Sequence, residues 1–456
     1  MELLNRQKTG KTERPIKVLQ FGEGNFLRAF VDYMIDIANE KGVFHGDIVL
    51  VKPITFGTLE RFHEQDCQYT VQLRGIVDGE PQRINRVVTS VADAVDAYEE
   101  YEKYAGYAKL DTLRFIVSNT TEAGIVYDDT DQFERNPPKT YPGKLTKFLY
   151  ERYEHFQGAP DKGLIILPVE LIDDNGIHLK ECVLKLAALW KLEEGFADWV
   201  NGACVFTSTL VDRIVTGYPR DEAEELCQEF GYQDHLIVTG EPFALWVIES
   251  AEDISGELPL PKAGLPVIFT DNQKPYKQRK VRILNGAHTS FVLASYLCGN
   301  DIVLESMQDE LILRFIRETI FEEVIPTLTL PQEELEEFAQ AVLTRFRNPY
   351  VKHAHLSISL NSVSKWRARC MPSFLEYIEK MGRLPVHLTF SLAALMAFYT
   401  GTKMRDKALI GHRGEEEYRI LDEEAVLAFF AANSDKEVSE YVHHTLSNKD
   451  FWGQDL

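Results

Sequence analysis

One stretch near the N-terminus determines the fold prediction, and it reads Ile16-Lys17-Val18-Leu19-Gln20-Phe21-Gly22-Glu23-Gly24-Asn25-Phe26-Leu27-Arg28. Its first six residues are mostly apolar, as expected of a strand buried in a sheet. A glycine turn of the form GxGxxxR follows at once, and residues 25–40 then carry the apolar periodicity of a helix. A strand, a glycine turn and a helix in this order predict the start of a parallel α/β sheet.

The glycine turn is suited to holding a dinucleotide. Gly22 permits the tight turn, and Gly24 lets a pyrophosphate approach the backbone. The helix that starts at Asn25 and Phe26 offers free N–H groups and a favourable dipole to phosphates. Arg28 lies one turn further on and can pair with a phosphate or with an acidic neighbour. The third glycine of the usual fingerprint is absent, so an ordinary strand–helix turn is the alternative, but the position after the first strand favours a cofactor site.

Further strand and helix patterns extend this first unit. Additional strands are predicted at residues 47–51, 113–118 and 163–168, and a helix at 142–156. Beyond about residue 300 the pattern is almost entirely helical, with helices predicted at residues 309–325, 332–347, 373–381, 384–399 and 422–432. Glycines and prolines cluster in residues 255–275, which indicates a boundary there. We therefore predict a Rossmann-like dinucleotide-binding domain at residues 1–265 and a mainly α-helical substrate and catalytic domain at residues 266–456.

Composition restricts the classes of function. The chain has 456 residues with 71 acidic and 49 basic side chains, a net charge of −22. This charge argues against binding nucleic acid or an anionic membrane, since both require a basic surface. The apolar segment at residues 384–399 is shorter than the roughly 18 residues that a membrane span needs, and a buried helix is the better interpretation. Six scattered cysteines and the lack of an N-terminal apolar signal segment indicate a cytoplasmic protein, for which a monomer is the working expectation.

Polar residues at strand ends add to the expected cofactor site. Asn119, Thr120, Thr121 and Glu122 follow the third predicted strand, where small polar residues suit a ligand crevice. An ordinary turn with Glu122 as a helix cap is the alternative. The second strand ends without the usual ribose-binding carboxylate, and Lys52 at that position could attract a 2′-phosphate. The choice between NADH and NADPH therefore remains open at this stage.

The most informative segment is Lys280-Val281-Arg282-Ile283-Leu284-Asn285-Gly286-Ala287-His288. On an α-helix, at about 100° per residue, Asn285 lies roughly 140° and His288 roughly 80° from Lys280, so all three share one arc. Reduction of a carbonyl needs an acid for the developing alkoxide and a donor that holds its oxygen. A lysine, an amide and an imidazole meet these needs. A solvated lysine and a core histidine with satisfied hydrogen bonds are the alternative.

The Lys-x4-Asn-x2-His pattern resembles the signature of the mannitol dehydrogenase family of polyol-specific long-chain dehydrogenases. The glycine turn with Arg28 is similar to the cofactor turn of the same family. Segments at residues 118–125, 142–146 and 168–176 resemble the hexuronate branch of that family. Together the matches span roughly residues 15 to 370.

The resemblance implies a reaction and a set of roles. The expected reaction is metal-independent hydride transfer from NADH to the ketone of a small ketohexuronate, in an active site between a Rossmann-like and a helical domain. Lys280 would be the general acid in reduction and the general base in oxidation. Asn285 would form part of the oxyanion hole, and His288 would contact the substrate.

This sequence departs from the family pattern at one position. Polyol members have a second oxyanion donor, an asparagine, where Val169-Glu170-Leu171 places leucine. Asn175 or a backbone N–H is the expected replacement, which makes Asn175 a candidate substrate contact. A hexuronate also needs a cation for its carboxylate. Arg345, Lys365 and Arg367 are the candidates, with an ordinary surface charge as the alternative for each.

Other assignments remain less favoured. His353 and His355 could pair as metal ligands, but no third ligand is suitably spaced, and we expect no metal. The nearest rivals are a reductase of another hexuronate and a mannitol-type polyol dehydrogenase. A rival of another class is a dinucleotide-binding regulatory protein without catalysis, which would have no need of the lysine.

Overall fold

The computed structural model describes residues 1–121 and 123–456 and confirms the α/β class. Contacts divide the chain into two units. The first contains residues 1–74 and 82–273, and the second contains residues 75–81 and 274–456. The division along the main chain thus falls eight residues after the predicted position, and a short segment at residues 75–81 is assigned to the second unit.

The strands up to residue 270 form three sheets. They are β1 (Ile16–Phe21), β2 (Asp47–Lys52), β3 (Tyr69–Val77), β4 (Glu80–Val88), β5 (Val91–Asp96), β6 (Phe115–Ser118), β7 (Ile165–Pro168), β8 (Val205–Phe206), β9 (Ser208–Asp212), β10 (Val215–Gly217), β11 (Val238–Gly240), β12 (Leu245–Glu249) and β13 (Val267–Thr270). Within the described chain, the sheet orders are β5-β2-β1-β6-β7-β8, β10-β11-β3-β4 and β13-β12-β9. The four strands predicted from sequence all lie in the first of these sheets.

The first sheet is parallel throughout its described pairs. Its strand order reverses at β1, which pairs with β2 on one side and with β6 on the other. Such a reversal is the point at which open α/β sheets leave a crevice outside the carboxyl ends of their strands. The glycine turn follows β1 and Asn119 follows β6, so both lie at this position.

The apolar runs of these strands are explained by burial on both faces. Within β1, Val18 packs into one hydrophobic cluster while Leu19 and Phe21 pack into another. The same alternation divides Ile48 from Val49 in β2. A strand covered by helices on both faces has no solvated side, which is why it is almost continuously apolar. Each fully buried valine, leucine or isoleucine contributes roughly 1.5–3 kcal/mol relative to an exposed one.

The helices of the first unit are α1 (Arg6–Thr9), α2 (Asn25–Leu27), α3 (Tyr33–Glu40), α4 (Glu60–Glu64), α5 (Tyr101–Gly106), α6 (Tyr141–His155), α7 (Asn175–Leu189), α8 (Glu194–Gly202) and α9 (Ala223–Phe230). A π-helical segment, Arg28–Asp32, joins α2 to α3, so the predicted helix at residues 25–40 is present with an irregular centre. Thr140 caps α6 by accepting a hydrogen bond from the N–H of Gly143, and Pro142 occupies its first turn.

The second unit is mainly helical, as predicted. Its helices are α10 (Lys274–Arg279), α11 (Gly286–Leu297), α12 (Val303–Gln308), α13 (Glu310–Glu318), α14 (Gln332–Phe346), α15 (His355–Ile358), α16 (Ser362–Arg369), α17 (Met371–Met381), α18 (Val386–Phe398), α19 (Glu424–Asn433), α20 (Val438–Leu446) and α21 (Lys449–Trp452). Further π-helical segments occur at Lys280–Asn285 and Thr319–Val324. The sequence pattern missed an antiparallel sheet of β14 (Lys403–Arg405), β15 (Ala408–Arg413) and β16 (Glu416–Ile420). These short strands lie between strongly periodic helices, so their own pattern is weak.

The apolar stretch at residues 384–399 forms α18. One face of this helix is buried, but Val386 is 64% exposed and Phe390 55% exposed, so the expected buried helix is only partly buried. In the part of the chain that the structure describes, no helix combines the length and the apolar character that crossing a membrane requires.

Candidate active site

The glycine turn begins with a residue whose backbone requires glycine. Gly22 has φ +119°, a backbone conformation that residues with a side chain rarely adopt. A Cβ at this position would also lie 3.1 Å from the carbonyl oxygen of Asn119. The N–H of Gly22 donates to the carbonyl of Val51 at 2.9 Å, which holds the turn against the end of β2. Gly22 is therefore required by the fold itself.

The protein itself does not require Gly24 to be glycine. Its φ of −67° is open to any residue, and a Cβ built there has no described atom within 4 Å. Gly24 instead borders a cavity of about 400 Å³ in the first unit. The missing side chain leaves room beside the backbone, and a close approach of a ligand to this backbone explains the glycine.

The cavity has the composition expected of a dinucleotide site. Of the residues predicted to bind the cofactor, Gly22, Gly24, Asn119, Thr120 and Thr121 line it. Glu122, which was also predicted, lies outside the described residues. The sequence analysis did not identify several other lining residues, namely Pro53, Ile54, Lys139, Tyr141 and Lys144. Lys139, Tyr141 and Lys144 lie at or next to the start of α6. Of these, only Lys144 falls in a segment that the sequence analysis noted, residues 142–146, and there only as part of a family resemblance.

Lys144 is the cationic side chain buried most deeply in the wall of this cavity. It is 2% exposed, and its Nζ donates to the carbonyl of Lys139 at 2.7 Å and to the hydroxyl of Tyr98 at 3.1 Å. Burial lowers the pKa of Lys144 to about 8. The site therefore holds a positive charge near neutral pH that is lost in mildly alkaline solution.

Arg28 is a buried side chain that hydrogen-bonds to residues of the glycine turn. It is 6% exposed, and its guanidinium donates to the carbonyl of Glu23, the carbonyl of Leu236 and the side-chain oxygen of Asn25. Neither Arg28, Asn25 nor Phe26 is among the residues that line the cavity, and Phe26 stacks on Phe30 at 5.0 Å. In this geometry Arg28 and Asn25 stabilise the turn through hydrogen bonds, and Phe26 packs on the helical segment that follows.

Glu170 organises the neighbouring strand end. Its carboxylate is 3% exposed and accepts hydrogen bonds from the hydroxyl of Ser118 and from the N–H and hydroxyl of Thr120, at 3.0–3.1 Å. Burial raises its pKa. Leu171, at the position of the missing asparagine, is 64% exposed. Glu170 therefore holds the turn that carries Asn119 and Thr120 into the cavity.

The proposed 2′-phosphate contact of Lys52 is wrong. Lys52 is 2% exposed, and its ammonium pairs with the carboxylate of Asp96 at 2.6 Å and donates to the carbonyl of Ile54. A buried lysine neutralised by a carboxylate offers no charge to a ligand. Asp96 lies on β5, and the sequence alone did not show that β5 pairs beside β2.

Asn175 is likewise not available to a substrate. It is 0% exposed, and its amide nitrogen donates to the carbonyls of Pro168, Glu170 and Thr209. Its amide oxygen accepts from the N–H groups of Gly176 and Thr209. The expectation that Asn175 replaces the missing oxyanion donor is therefore wrong, because every polar atom of the side chain is used to tie α7 to β7 and β9.

The segment with the predicted catalytic residues is not an ordinary α-helix. Lys280–Asn285 is π-helical, so a backbone N–H bonds to the carbonyl five residues earlier instead of four. The angle of 140° between Lys280 and Asn285 assumed an α-helix and is wrong. A π-turn rotates less per residue than an α-helix, so Lys280 and Asn285 lie closer in angular position than the sequence analysis assumed. Such π-bulges occur frequently at functional sites.

His288 follows in α11 with an unpaired nitrogen. Its ring lies 4.2 Å from the ring of Phe346 and 5.1 Å from that of His353. The Nε2 atom is buried and has no hydrogen-bond partner in the described chain. Burial and the charges of His353, Arg345 and Arg369 hold the pKa of His288 well below its usual range. The imidazole is thus neutral and has one polar atom left for a ligand.

The predicted carboxylate-binding candidates have different environments. Arg345 lies in the last turn of α14, beside Phe346, and its charge acts on His288. Lys365 lies on α16 and donates to the carbonyl of Ile358 at 2.9 Å, and burial lowers its pKa. Arg367 is exposed and donates to the carbonyl of Asp450.

The two neighbouring histidines have different roles. His355 is 0% exposed, and its ring nitrogens bond to the carbonyl of Asn300 and to the hydroxyl of Ser306, both at 2.9 Å. His353 faces the ring of His288. Over residues 1–121 and 123–456, no group of three or more His, Cys, Asp or Glu side chains is arranged to hold a metal ion.

Comparisons with known proteins cover the whole chain. Residues 16–262 match the model of the mannitol dehydrogenase Rossmann domain, and residues 272–456 match that of the mannitol dehydrogenase C-terminal domain. The altronate oxidoreductase of Yersinia pestis bv. Antiqua (strain Nepal516) is 45% identical over 457 residues, which cover 100% of this chain and 94% of that relative. That of Pectobacterium carotovorum subsp. carotovorum (strain PC1) is 47% identical over 458 residues, with the same coverage.

Solved structures share the fold. A D-sorbitol dehydrogenase in substrate-free form has a TM-score of 0.79 at 21% identity and covers 99% of this chain and 93% of its own. The mannitol 2-dehydrogenase of Pseudomonas fluorescens, in a ternary complex with NAD and D-mannitol, has a TM-score of 0.63 at 20% identity, with 99% and 92% covered.

Replacement of the two turn glycines separates fold from ligand binding. Gly24→Ala should leave the thermal unfolding midpoint within about 1 °C of the parent, because no described atom opposes the new Cβ, but should weaken NADH binding roughly tenfold or more. Gly22→Ala should lower the midpoint, because it forces a strained φ and a close contact with Asn119. Fluorescence titration with NADH and thermal unfolding of both variants check this. Unchanged NADH affinity in Gly24→Ala would contradict the assignment of the cavity.

Proposed function

The chain belongs to the mannitol dehydrogenase family, and from that membership we propose that it catalyses the reversible, NADH-dependent reduction of the ketone of tagaturonate to altronate in hexuronate catabolism. The observation that carries the substrate assignment is its 45–47% identity, over its full length, to relatives named altronate oxidoreductase. The family resemblance read from the sequence motifs is confirmed by the two domain models. The dinucleotide would be NAD, held at the cavity of the first unit.

The residues of that cavity fit such a cofactor. Gly24 leaves its backbone open to a pyrophosphate, and Lys144 supplies positive charge. Asn119 and Thr120, held by Glu170 and β6, offer polar atoms along the same wall. The bound dinucleotide supplies the hydride that reduces the carbonyl carbon.

The protein's own part of the reaction is proton transfer and orientation. As the carbonyl carbon gains the hydride, its oxygen becomes an alkoxide and takes a proton from the ammonium of Lys280. The side-chain N–H of Asn285 donates to the same oxygen and stabilises the charge that develops there. In the oxidation direction, neutral Lys280 takes the hydroxyl proton. The π-turn supports this division of roles because Lys280 and Asn285 occupy its first and last positions.

His288 serves as a neutral hydrogen-bonding group in this scheme. Its lowered pKa excludes an imidazolium near neutral pH, so it does not compete with Lys280 as the acid. Its buried, unpartnered Nε2 is free to bond to a substrate hydroxyl. A ketohexuronate supplies such hydroxyls on its carbons other than the ketone and carboxylate carbons.

We also propose that the enzyme works in the cytoplasm on a small-molecule substrate, as a monomer and without a resident metal. All six cysteines are free, and five of them are buried, which supports a reducing compartment. The net charge of −22 supports the absence of nucleic-acid and membrane partners.

A panel of ketones tests the proposed reaction. The purified protein should oxidise NADH, measured as loss of absorbance, with a kcat/KM for tagaturonate at least ~10-fold above those for fructuronate, fructose and fructose 6-phosphate. Preference for fructuronate or fructose would instead assign the sister hexuronate reductase or the polyol dehydrogenase. NADH binding without turnover of any of the four would support a regulatory protein and reject the enzyme.

The role of Lys280 predicts a large loss of rate in two variants. Lys280→Ala should lower kcat by roughly 10²–10⁴, the usual contribution of a general acid, with NADH affinity nearly unchanged. Lys280→Arg should lose a similar factor, because arginine keeps the charge but does not release its proton. Lys403→Ala, which removes an exposed lysine of β14, is the control. Near-full activity in either Lys280 variant would show that the proton comes from another group.

Lys144 predicts a pH dependence of cofactor affinity. Because its folded pKa is lowered to about 8, the ammonium is present below that pH and is lost as pH rises through it. The Kd for NADH should therefore rise roughly tenfold between pH 7 and pH 9.5, as a charged contact is removed. Lys144→Met should bind NADH weakly at both pH values, with a flat profile. A wild-type Kd that is constant over this range would contradict a contact between Lys144 and the cofactor.

A further inference from the structure

His288 and three neighbouring basic side chains form a group in the second unit, which we call the His288 cluster. It consists of His288, His353, Arg345 and Arg369. The ring of His288 packs between the rings of Phe346 and His353, at 4.2 and 5.1 Å. The described chain provides no hydrogen-bond partner for its buried Nε2. A buried polar atom without a partner is costly unless a ligand completes it.

The backbone at Arg369 lies close to the start of α11, the helix that carries His288. Arg369 ends α16, and its carbonyl oxygen lies 3.2 Å from the place where Gly286 would carry a Cβ. The thiol of the next residue, Cys370, reaches the carbonyl of Gly286 at 3.5 Å. The end of α16 therefore passes close to the start of α11, two residues before His288. A side chain at residue 286 would make a tight contact with the carbonyl of Arg369.

The guanidinium of Arg369 is poorly satisfied. Its Nη1 donates to the hydroxyl of Thr289 over a long 3.3 Å, and no carboxylate of the described chain pairs with it. It is half-buried, and this burial lowers its pKa. By contrast, Arg282, in the π-helical segment ahead of α11, binds both oxygens of Glu376, at 2.6 and 2.7 Å. In a chain with 71 acidic residues against 49 basic ones, a half-buried arginine without a carboxylate partner in the described chain is a candidate for binding an external anion.

We propose that Arg369 binds the carboxylate of the hexuronate, with the neutral His288 bonding to a hydroxyl of the same substrate. This inference rests on the proposed function and adds to it the residue that distinguishes a hexuronate from a neutral ketose or polyol. A planar guanidinium with most of its donors unused matches a carboxylate in two parallel hydrogen bonds. Arg345 adds positive charge to the same region.

Arg369 is better placed to bind the carboxylate than the other two cations of α16. The ammonium of Lys365 already donates to the carbonyl of Ile358, and Arg367 lies on the exposed face of α16 and reaches Asp450. The sequence analysis named both of these but passed over Arg369. The spacing in Lys365-Trp366-Arg367-Ala368-Arg369 does not show which cation faces His288.

The test compares Arg369→Met with Arg367→Met, a control two residues away on the same helix. Both proteins are assayed with NADH and either tagaturonate or neutral fructose, and thermal unfolding and NADH affinity are measured alongside. Arg369→Met should lower kcat/KM for tagaturonate at least ~100-fold, mainly through KM, because the carboxylate loses its partner. Its kcat/KM for fructose and its NADH affinity should change less than about threefold, and Arg367→Met should behave as the parent.

A conservative variant guards against a folding defect. Arg369→Lys keeps the charge but loses the paired geometry, so it should retain an intermediate kcat/KM for tagaturonate. A folded Arg369→Met that keeps the parent's preference for tagaturonate over fructose would overturn this inference and leave the proposed function in place. Equal losses on both ketones would show a structural role and would also overturn it. A parent protein that reduces no hexuronate would overturn the proposed function, and this inference with it.

Discussion

Burial of the central parallel sheet on both faces is the constraint on which the first unit depends. Val18 and Leu19 pack into separate hydrophobic clusters, so β1 offers no solvated face on which chemistry could be placed. The residues that line the cavity accordingly come from the segments that follow the strands and from the start of α6. At the carboxyl ends of β1 and β6, where the strand order reverses, the backbone turns outward and a cavity forms.

The pattern of satisfied and unsatisfied polar groups separates structural residues from ligand-binding ones. Lys52 and Asn175 are buried with every important polar atom paired, and both therefore belong to the scaffold. By contrast, the buried Nε2 of His288 has no partner in the described chain, and the half-buried Arg369 has a single long hydrogen bond to Thr289. A folded chain rarely leaves buried polar groups without hydrogen-bond partners. The unpaired groups at His288 and Arg369 therefore support a ligand at this place, one that carries a negative charge.

The backbone of the segment with the predicted catalytic residues is locally irregular. A π-turn rotates less per residue than an α-helix, so it reduces the angle between positions five apart. Lys280 and Asn285 have that separation. The proposed acid and oxyanion donor would have to reach the same substrate oxygen, and this local geometry favours such a pairing over the α-helical one.

Local patterns in the sequence determined much of this protein: the strands around β1, the helices of the C-terminal half, the glycine turn and the Lys280–His288 segment. These rest on interactions between near neighbours in the chain, such as apolar periodicity and turn geometry, which a sequence displays directly. Only the tertiary structure decided which polar side chains already have partners. Lys52 meets Asp96 and Asn175 meets Thr209 across 44 and 34 residues of chain, whereas Arg369 reaches only Thr289, 80 residues away. No local pattern encodes a partner so distant in sequence, because only the folded packing of the elements brings the two side chains together.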